Sequence, residues 1–249
     1  YGLEANADKS ALVVIRAAPV MVARLRHPDG WLFQVKDATK TLGLTYGDGF
    51  DTAKMLVNDR ICQMFGRMDQ YKRVWRSPIS LPKKCLYMNG AIWSRGRWSL
   101  HLLHLKEALR DSLYGAQASM LRTLAGIPHP YISRVSNATT RSRCQATRFS
   151  IQILRSQLRW LGHILRRPET DPLRLVVFEP GTELLPRLTS TGRKRVVGRP
   201  RIDWAQTLIE MFCSFAQCSR SRMLEIVSDK SKYHFIVERL CRHTARQVH

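Results

Sequence analysis

From Asp51 onward the apolar residues recur every three or four positions, and this period constrains the 249-residue chain more than any other feature. Ala53, Val57, Ile61, Met64, Met68, Tyr71 and Trp75 fall on one face of a long helix, because a helix turns once in 3.6 residues. Ser80 and Pro82 suit the start of a second helix running to about residue 98, with Gly90 and Gly96 weakening its end. Leu102, Leu105, Leu109, Leu113, Ala116, Met120 and Leu124 mark a third. It should stop at Ala125-Gly126-Ile127-Pro128, where glycine suits the left-handed cap and proline blocks continuation. A fourth helix is expected over about 144–166, and two more over 203–218 and 222–246.

The residues before 51 read differently. Ala11-Leu12-Val13-Val14-Ile15 is a short run suited to a buried strand. Pro28-Asp29-Gly30 lies between the apolar runs 20–26 and 31–36 and signals a hairpin. Thr41 to Tyr46 alternates like one more strand, ended by Gly47-Asp48-Gly49. The expectation is therefore α+β: a small antiparallel β portion, then a mostly helical remainder.

The fourth helix carries two stripes. Ile151, Leu154, Leu158, Leu161 and Leu165 form an apolar one. Arg148, Gln152, Arg155, Arg159, His163 and Arg166 form a basic one about 120° away, so that one can pack while the other faces outward. Arg167 and Pro168 end the helix. Downstream, Arg187, Arg193, Lys194, Arg195, Arg199 and Arg201 lie in a Pro- and Gly-containing linker without an acidic residue between them. The formal net charge is +22, far from that of a typical enzyme. A surplus of this size points to a polyanion, and arginine offers paired planar donors to phosphate. A membrane partner is disfavoured: the apolar region 11–23 is broken by Arg16 and Pro19 and is too short to span.

Chemistry-bearing patterns are sparse. The carboxylates are scattered, whereas nucleotidyl transfer needs a cluster to hold two divalent ions. Cys213, Cys218, His234, Cys241 and His243 fall on helical spacings rather than on the tight pairs of a zinc site, and read as ordinary thiols and imidazoles. Six irregularly spaced cysteines suggest reduced thiols and an intracellular setting. Gly198-Arg199-Pro200-Arg201 is similar to the core of an AT-hook, although Val197 stands where a basic residue is usual.

Four blocks in order resemble reverse transcriptases of non-LTR (LINE-type) retrotransposons. Gly2-Leu3-Glu4-Ala5-Asn6-Ala7-Asp8-Lys9-Ser10 is similar to the segment after the catalytic Asp-Asp strand. Lys40-Thr41-Leu42-Gly43 is similar to the primer-grip turn, with Thr41 in place of its aromatic. Leu158 to Pro168 resembles that family's Leu-Arg-Trp-x-Gly-His-x-x-Arg-x-Pro segment, and Gly198 to Trp204 its Gly-Arg-Pro-x-x-x-Trp segment. The resemblance implies a distal palm fragment over 1–50, a helical thumb over 51–128, a connector and basic helix over 129–178, a basic linker over 179–202 and C-terminal helices over 203–249. It implies that Lys9 matches the lysine that helps protonate the leaving group, and that Leu42 and Gly43 contact the primer end. It also implies partners: RNA template, RNA/DNA hybrid and target DNA, together with the palm and fingers of the parent polymerase, in the nucleus. The Mg-binding aspartates would belong to that upstream palm, leaving this chain with no cofactor of its own and no polymerase activity alone. Candidate nucleic-acid contacts are Arg148, Arg155, Arg159, Arg166, Arg167, Arg193, Lys194, Arg195, Arg199 and Arg201. Two rival readings stand beside this one: a free-standing DNA-binding protein that uses the hook-like loop, and a decayed reading frame.

Overall fold

The computed structural model describes residues 11–12, 34–35, 38–41, 44–47, 52–103, 105–181, 184 and 204–247. The chain divides into two compact units, Tyr1–Cys62 and Gln63–His249, with the boundary inside the first long helix. Among the described residues strand is confined to two short ladders in the first unit. β1 (Ala11–Leu12) runs parallel to β2 (Gln34–Val35), and β3 (Ala38–Thr41) pairs antiparallel with β4 (Leu44–Gly47). Thr41 lies opposite Leu44, so the single strand expected over 41–46 is divided between β3 and β4. From Thr52 onward every regular element among the described residues is a helix.

The α+β expectation is thereby corrected to an all-α fold. The physical reason is that a run which reads as strand does not say how long a ladder it will form. Ladders of two and four residues, moreover, make no layer on which helices can stack. The expected hairpin around Pro28-Asp29-Gly30 lies outside the described residues, apart from Gln34 and Val35.

The helices begin with α1 (Thr52–Gln70), α2 (Lys72–Arg76) and α3 (Leu81–Met88). Trp75 is buried and donates its indole N–H to the Met68 carbonyl at 2.9 Å, tying α2 to the end of α1. After Met88 the coil widens into a π-turn, Asn89–Trp93, before a last turn at Ser94–Gly96. Gly96 lies against the Met64 side chain so closely that an added Cβ would come within 2.2 Å of its sulfur. The third helix starts later than its spacing suggested. Leu102 sits exposed in a 3-10 turn, Leu103 is extended, and α4 runs Glu107–Ala125. It ends as expected, with Gly126 at φ +64° and Ile127 N–H donating to Arg122 O at 2.9 Å.

Two short helices, α5 (Pro130–Ser133) and α6 (Asn137–Arg143), lead to α7 (Phe149–Leu165). The left-handed Gln145 and the non-helical Arg148 delay the start of α7 to Phe149, where the sequence suggested a helix from about 144. After α8 (Pro172–Val177) come α9 (Trp204–Ala216), α10 (Arg220–Ser228) and α11 (Lys230–Gln247). The last pair was expected to be one helix. Asp229 interrupts it, its Oδ1 accepting from the backbone N–H groups of Ser231 and Lys232.

Helix α7 is the hub, with α11, α4, α9 and α10 packed around it. Leu158 and Leu161 are fully buried and Ile151, Ile164 and Leu165 nearly so, as the apolar stripe requires. Each such side chain contributes about 1.5–3 kcal/mol by leaving water. Its closest neighbour is α11. The ring of Tyr233 lies where a Cβ at Gly162 would stand, 2.3 Å from the ring edge, and its hydroxyl donates to the Leu158 carbonyl at 2.7 Å. Burial pushes the Tyr233 phenol well above its usual pKa. The glycine of the Leu-Arg-Trp-Leu-Gly-His block is thus a place of close helix approach. No described helix is long and apolar enough to cross a membrane.

Candidate nucleic-acid interface

Between Asp111 and Glu169 the chain contains nine arginines, no lysine and no acidic residue. These arginines are 122, 134, 141, 143, 148, 155, 159, 166 and 167, and the fold spreads them over α4–α7. Seven of them, all but Arg134 and Arg143, fall into two groups by what they touch.

One group is engaged inside the protein. Arg122 is buried on α4 and satisfies its guanidinium with backbone and neutral groups. Nε donates to Asn137 Oδ1 at 3.1 Å, Nη1 to Pro128 O at 2.8 Å and to Ser133 Oγ at 3.3 Å, and Nη2 to Val135 O. These acceptors belong to a corner that contains two prolines, where the backbone has few donors to offer its own carbonyls. Arg141 is also buried, its guanidinium over the Tyr114 ring at 5.3 Å, and its two Nη atoms meet no hydrogen-bond acceptor among the described residues. Arg148 approaches the same ring at 4.7 Å from the first position before α7. Burial and the Arg141 charge lower the Arg148 pKa, against smaller opposite effects of Tyr114 and Asp111.

The other group lies along α7. Arg155 Nε and Arg159 Nη2 each stand 3.0 Å from Glu238 Oε1 on α11. The Arg159 contact is a hydrogen bond, while the Arg155 Nε–H is not aimed at the carboxylate and the contact is ionic only. Arg166 Nη1 reaches the Val227 carbonyl at 3.5 Å, a weak contact. Arg167 is exposed beside Asp171 at 3.7 Å and His163 Nε2 at 3.3 Å. Gln152, expected on the outward stripe, is instead buried and donates to Thr147 O at 2.9 Å. The basic face therefore runs along the rim of the α7–α11 contact, with Arg159 about half exposed and one carboxylate shared between two guanidiniums. A shared, partly solvated carboxylate compensates only part of that charge.

Neighbouring positive charge reinforces the field. Arg97 is held by Trp93 O and Asn89 Oδ1, and its pKa is lowered by burial and then by Arg155. His234 on α11 is lowered by burial and by Arg159, Arg166 and Lys230, with Glu238 opposing. In the Trp160–His163 pair the rings stack at 5.3 Å, with His101 edge-on to the indole at 6.2 Å, so this tryptophan serves packing.

Several expected site residues lie outside the described residues: Lys9, Leu42, Gly43, Arg193, Lys194, Arg195, Arg199 and Arg201. Among the described residues no group of three His, Cys, Asp or Glu side chains is placed to hold a metal ion. Sequence reasoning passed over Arg122, Tyr114, Arg141 and Glu238. The acid-free run was a usable signal for the arginines, but nothing near Glu238 in sequence points to a partner 79 residues away. No protein-family model, curated protein or solved structure matches the chain.

Proposed function

We propose that this chain binds nucleic acid as the C-terminal part of a non-LTR retrotransposon reverse transcriptase, gripping template–primer or target DNA rather than performing the chemistry. The observation that carries the reading is the acid-free, nine-arginine run gathered around one helical hub. Arginine in place of lysine favours bidentate contact with phosphate oxygens, and the charge left uncompensated attracts a polyanion. The helices of region 51–128 would act as the thumb, and the Arg159–Arg167 rim would follow a phosphate backbone. The Leu158–Pro168 block supports the family origin by its residues and their order.

The test is fluorescence anisotropy of the whole chain with RNA/DNA hybrid, duplex DNA and single-stranded RNA at several salt concentrations. The expected result is binding to hybrid at least as tight as to duplex, with log Kd rising linearly with log salt. Replacing Arg159 and Arg167 by Gln should weaken binding to all three, and the salt slope should fall by about one for each phosphate no longer held. Equal binding to heparin and to every nucleic acid would refute a specific grip. A preference for A·T-rich duplex, abolished by Arg199→Ala with Arg201→Ala, would transfer the function to the hook-like loop.

A further inference from the structure

The corner between α4 and α6 has a second property that phosphate binding does not use. Tyr131 and Ile132 are adjacent on α5 and are 76% and 72% exposed, among the most exposed of the large apolar residues described. Exposed apolar pairs on a loop would ordinarily be adjustable, but this one is held. Arg122 fastens the backbone on both sides, at Pro128 O and Val135 O, and reaches Ser133 Oγ within α5. His129 Nδ1 accepts from the Tyr131 N–H at 3.4 Å, Ser133 Oγ donates to the carbonyls of Pro128 and His129, and Ser136 caps α6. Arg134 adopts the left-handed region at φ +56° and places its guanidinium 5.5 Å from the centre of the Tyr131 ring.

We propose that Tyr131 and Ile132 form a stacking tip for unpaired nucleobases, with Arg134 completing it from the side of the phosphates; this rests on the nucleic-acid reading above. An aromatic ring on a braced backbone, with a cation on one face, offers its remaining surface to a base at reduced ordering cost. The chemistry of the occupant follows from charge: the tip lies in the acid-free run, so a polyanion with flat apolar rings complements it better than an apolar protein groove does. Ile132 beside the ring would limit the stack to an end or a single strand, since a paired duplex hides its base faces.

The experiment compares the whole wild-type chain with Tyr131→Ala/Ile132→Ala, Tyr131→Phe and Tyr131→Trp, using a single-stranded RNA of about 20 nucleotides and a blunt duplex of about that length, chosen to exceed one OB-fold-sized site. The double variant should bind the single strand about tenfold or more weakly with an unchanged salt slope, because it removes stacking but no phosphate contact. Tyr131→Phe should restore single-strand affinity, and the new indole of Tyr131→Trp should be quenched by the single strand more than by the duplex. If wild type binds nucleic acid and the double variant binds the single strand equally well, the tip is overturned and the grip stands. If wild type binds no nucleic acid, both fall. Loss of binding to anionic phospholipid vesicles in the double variant, with RNA affinity unchanged, would overturn the tip in favour of a membrane contact.

Discussion

The α7–α11 seam and the α4–α6 corner both bring polar groups out of water, and they do so in opposite ways. At the seam a neutral hydroxyl, Tyr233, finds the Leu158 carbonyl, a glycine makes the space, and the ionic contacts of Glu238 stay at the rim. At the corner a full positive charge, Arg122, is buried among carbonyls and neutral side chains. The corner is how a fold can keep a strong positive field. Holding an arginine with carbonyl oxygens fixes its position without adding a carboxylate, so its charge still reaches outside. Arg174 does so in part at the end of α7: it donates to Leu165 O and Arg167 O, and also to the mostly exposed Glu169.

The largest effect is expected at the corner. Arg122→Met should cost about 3 kcal/mol or more, because several part-buried acceptors are left without their donor at once. Urea unfolding followed by circular dichroism measures it, and Arg122→Lys should recover only part because one ammonium cannot span the same acceptors. A loss under about 1 kcal/mol would mean the carbonyls find water instead, and the corner would then be no different from the seam's rim.

Gly162→Ala should come next, at about 2 kcal/mol. The new methyl meets the Tyr233 ring, and this outweighs the helical preference for alanine of about 1 kcal/mol. An unchanged or raised Tm would show that α11 shifts away freely. Tyr233→Phe isolates the hydroxyl and should cost about 1 kcal/mol, since the Leu158 carbonyl keeps its helical bond.

Glu238→Gln probes the seam from its charged side. Stability should change by less than about 1 kcal/mol, because the ion pairs are partly solvated. Nucleic-acid affinity should rise, as two arginines are freed of their shared carboxylate; unchanged anisotropy titrations would remove the α7 rim from the interface.

The smallest effect is on pH dependence. Burial holds His101 below its ordinary pKa of 6.5, and His234 is held below the same value chiefly by burial. A lowered folded-state pKa gives stability that is present above the unfolded value and is lost as pH falls through the folded one. Thermal stability should therefore decline on acidification below about pH 6.5. His101→Gln should flatten that decline, and an identical pH profile would count against its buried, neutral state.

Much of the helical part was legible because periodicity and capping are local. The α7 stripe followed from side-chain spacing alone, as did the Gly126 stop. What failed locally was the placing of element ends: Asp229 divides α10 from α11, and the turn at Gln145 with the N-cap at Arg148 delays the start of α7 from about 144 to Phe149. A single cap costs or contributes about 1 kcal/mol, too little to stand out against an unbroken apolar period. The α+β expectation failed for another reason: a run that reads as strand does not say how long a ladder it will form, and ladders of two and four residues make no layer for the helices.

The helical period, the excess of positive charge and the lack of acids between Asp111 and Glu169 are properties of composition and spacing, and were settled before any folding. Which arginines are engaged and which remain available was settled by tertiary structure alone. Arg122 and Arg159 look alike in the chain, each a cation on an amphipathic helix. One is enclosed by a loop that folds back over it, and the other stands at a rim beside a carboxylate from a helix 79 residues away. The cost of burying a charge depends on the acceptors that surround it, and those acceptors are brought together only when the chain closes on itself.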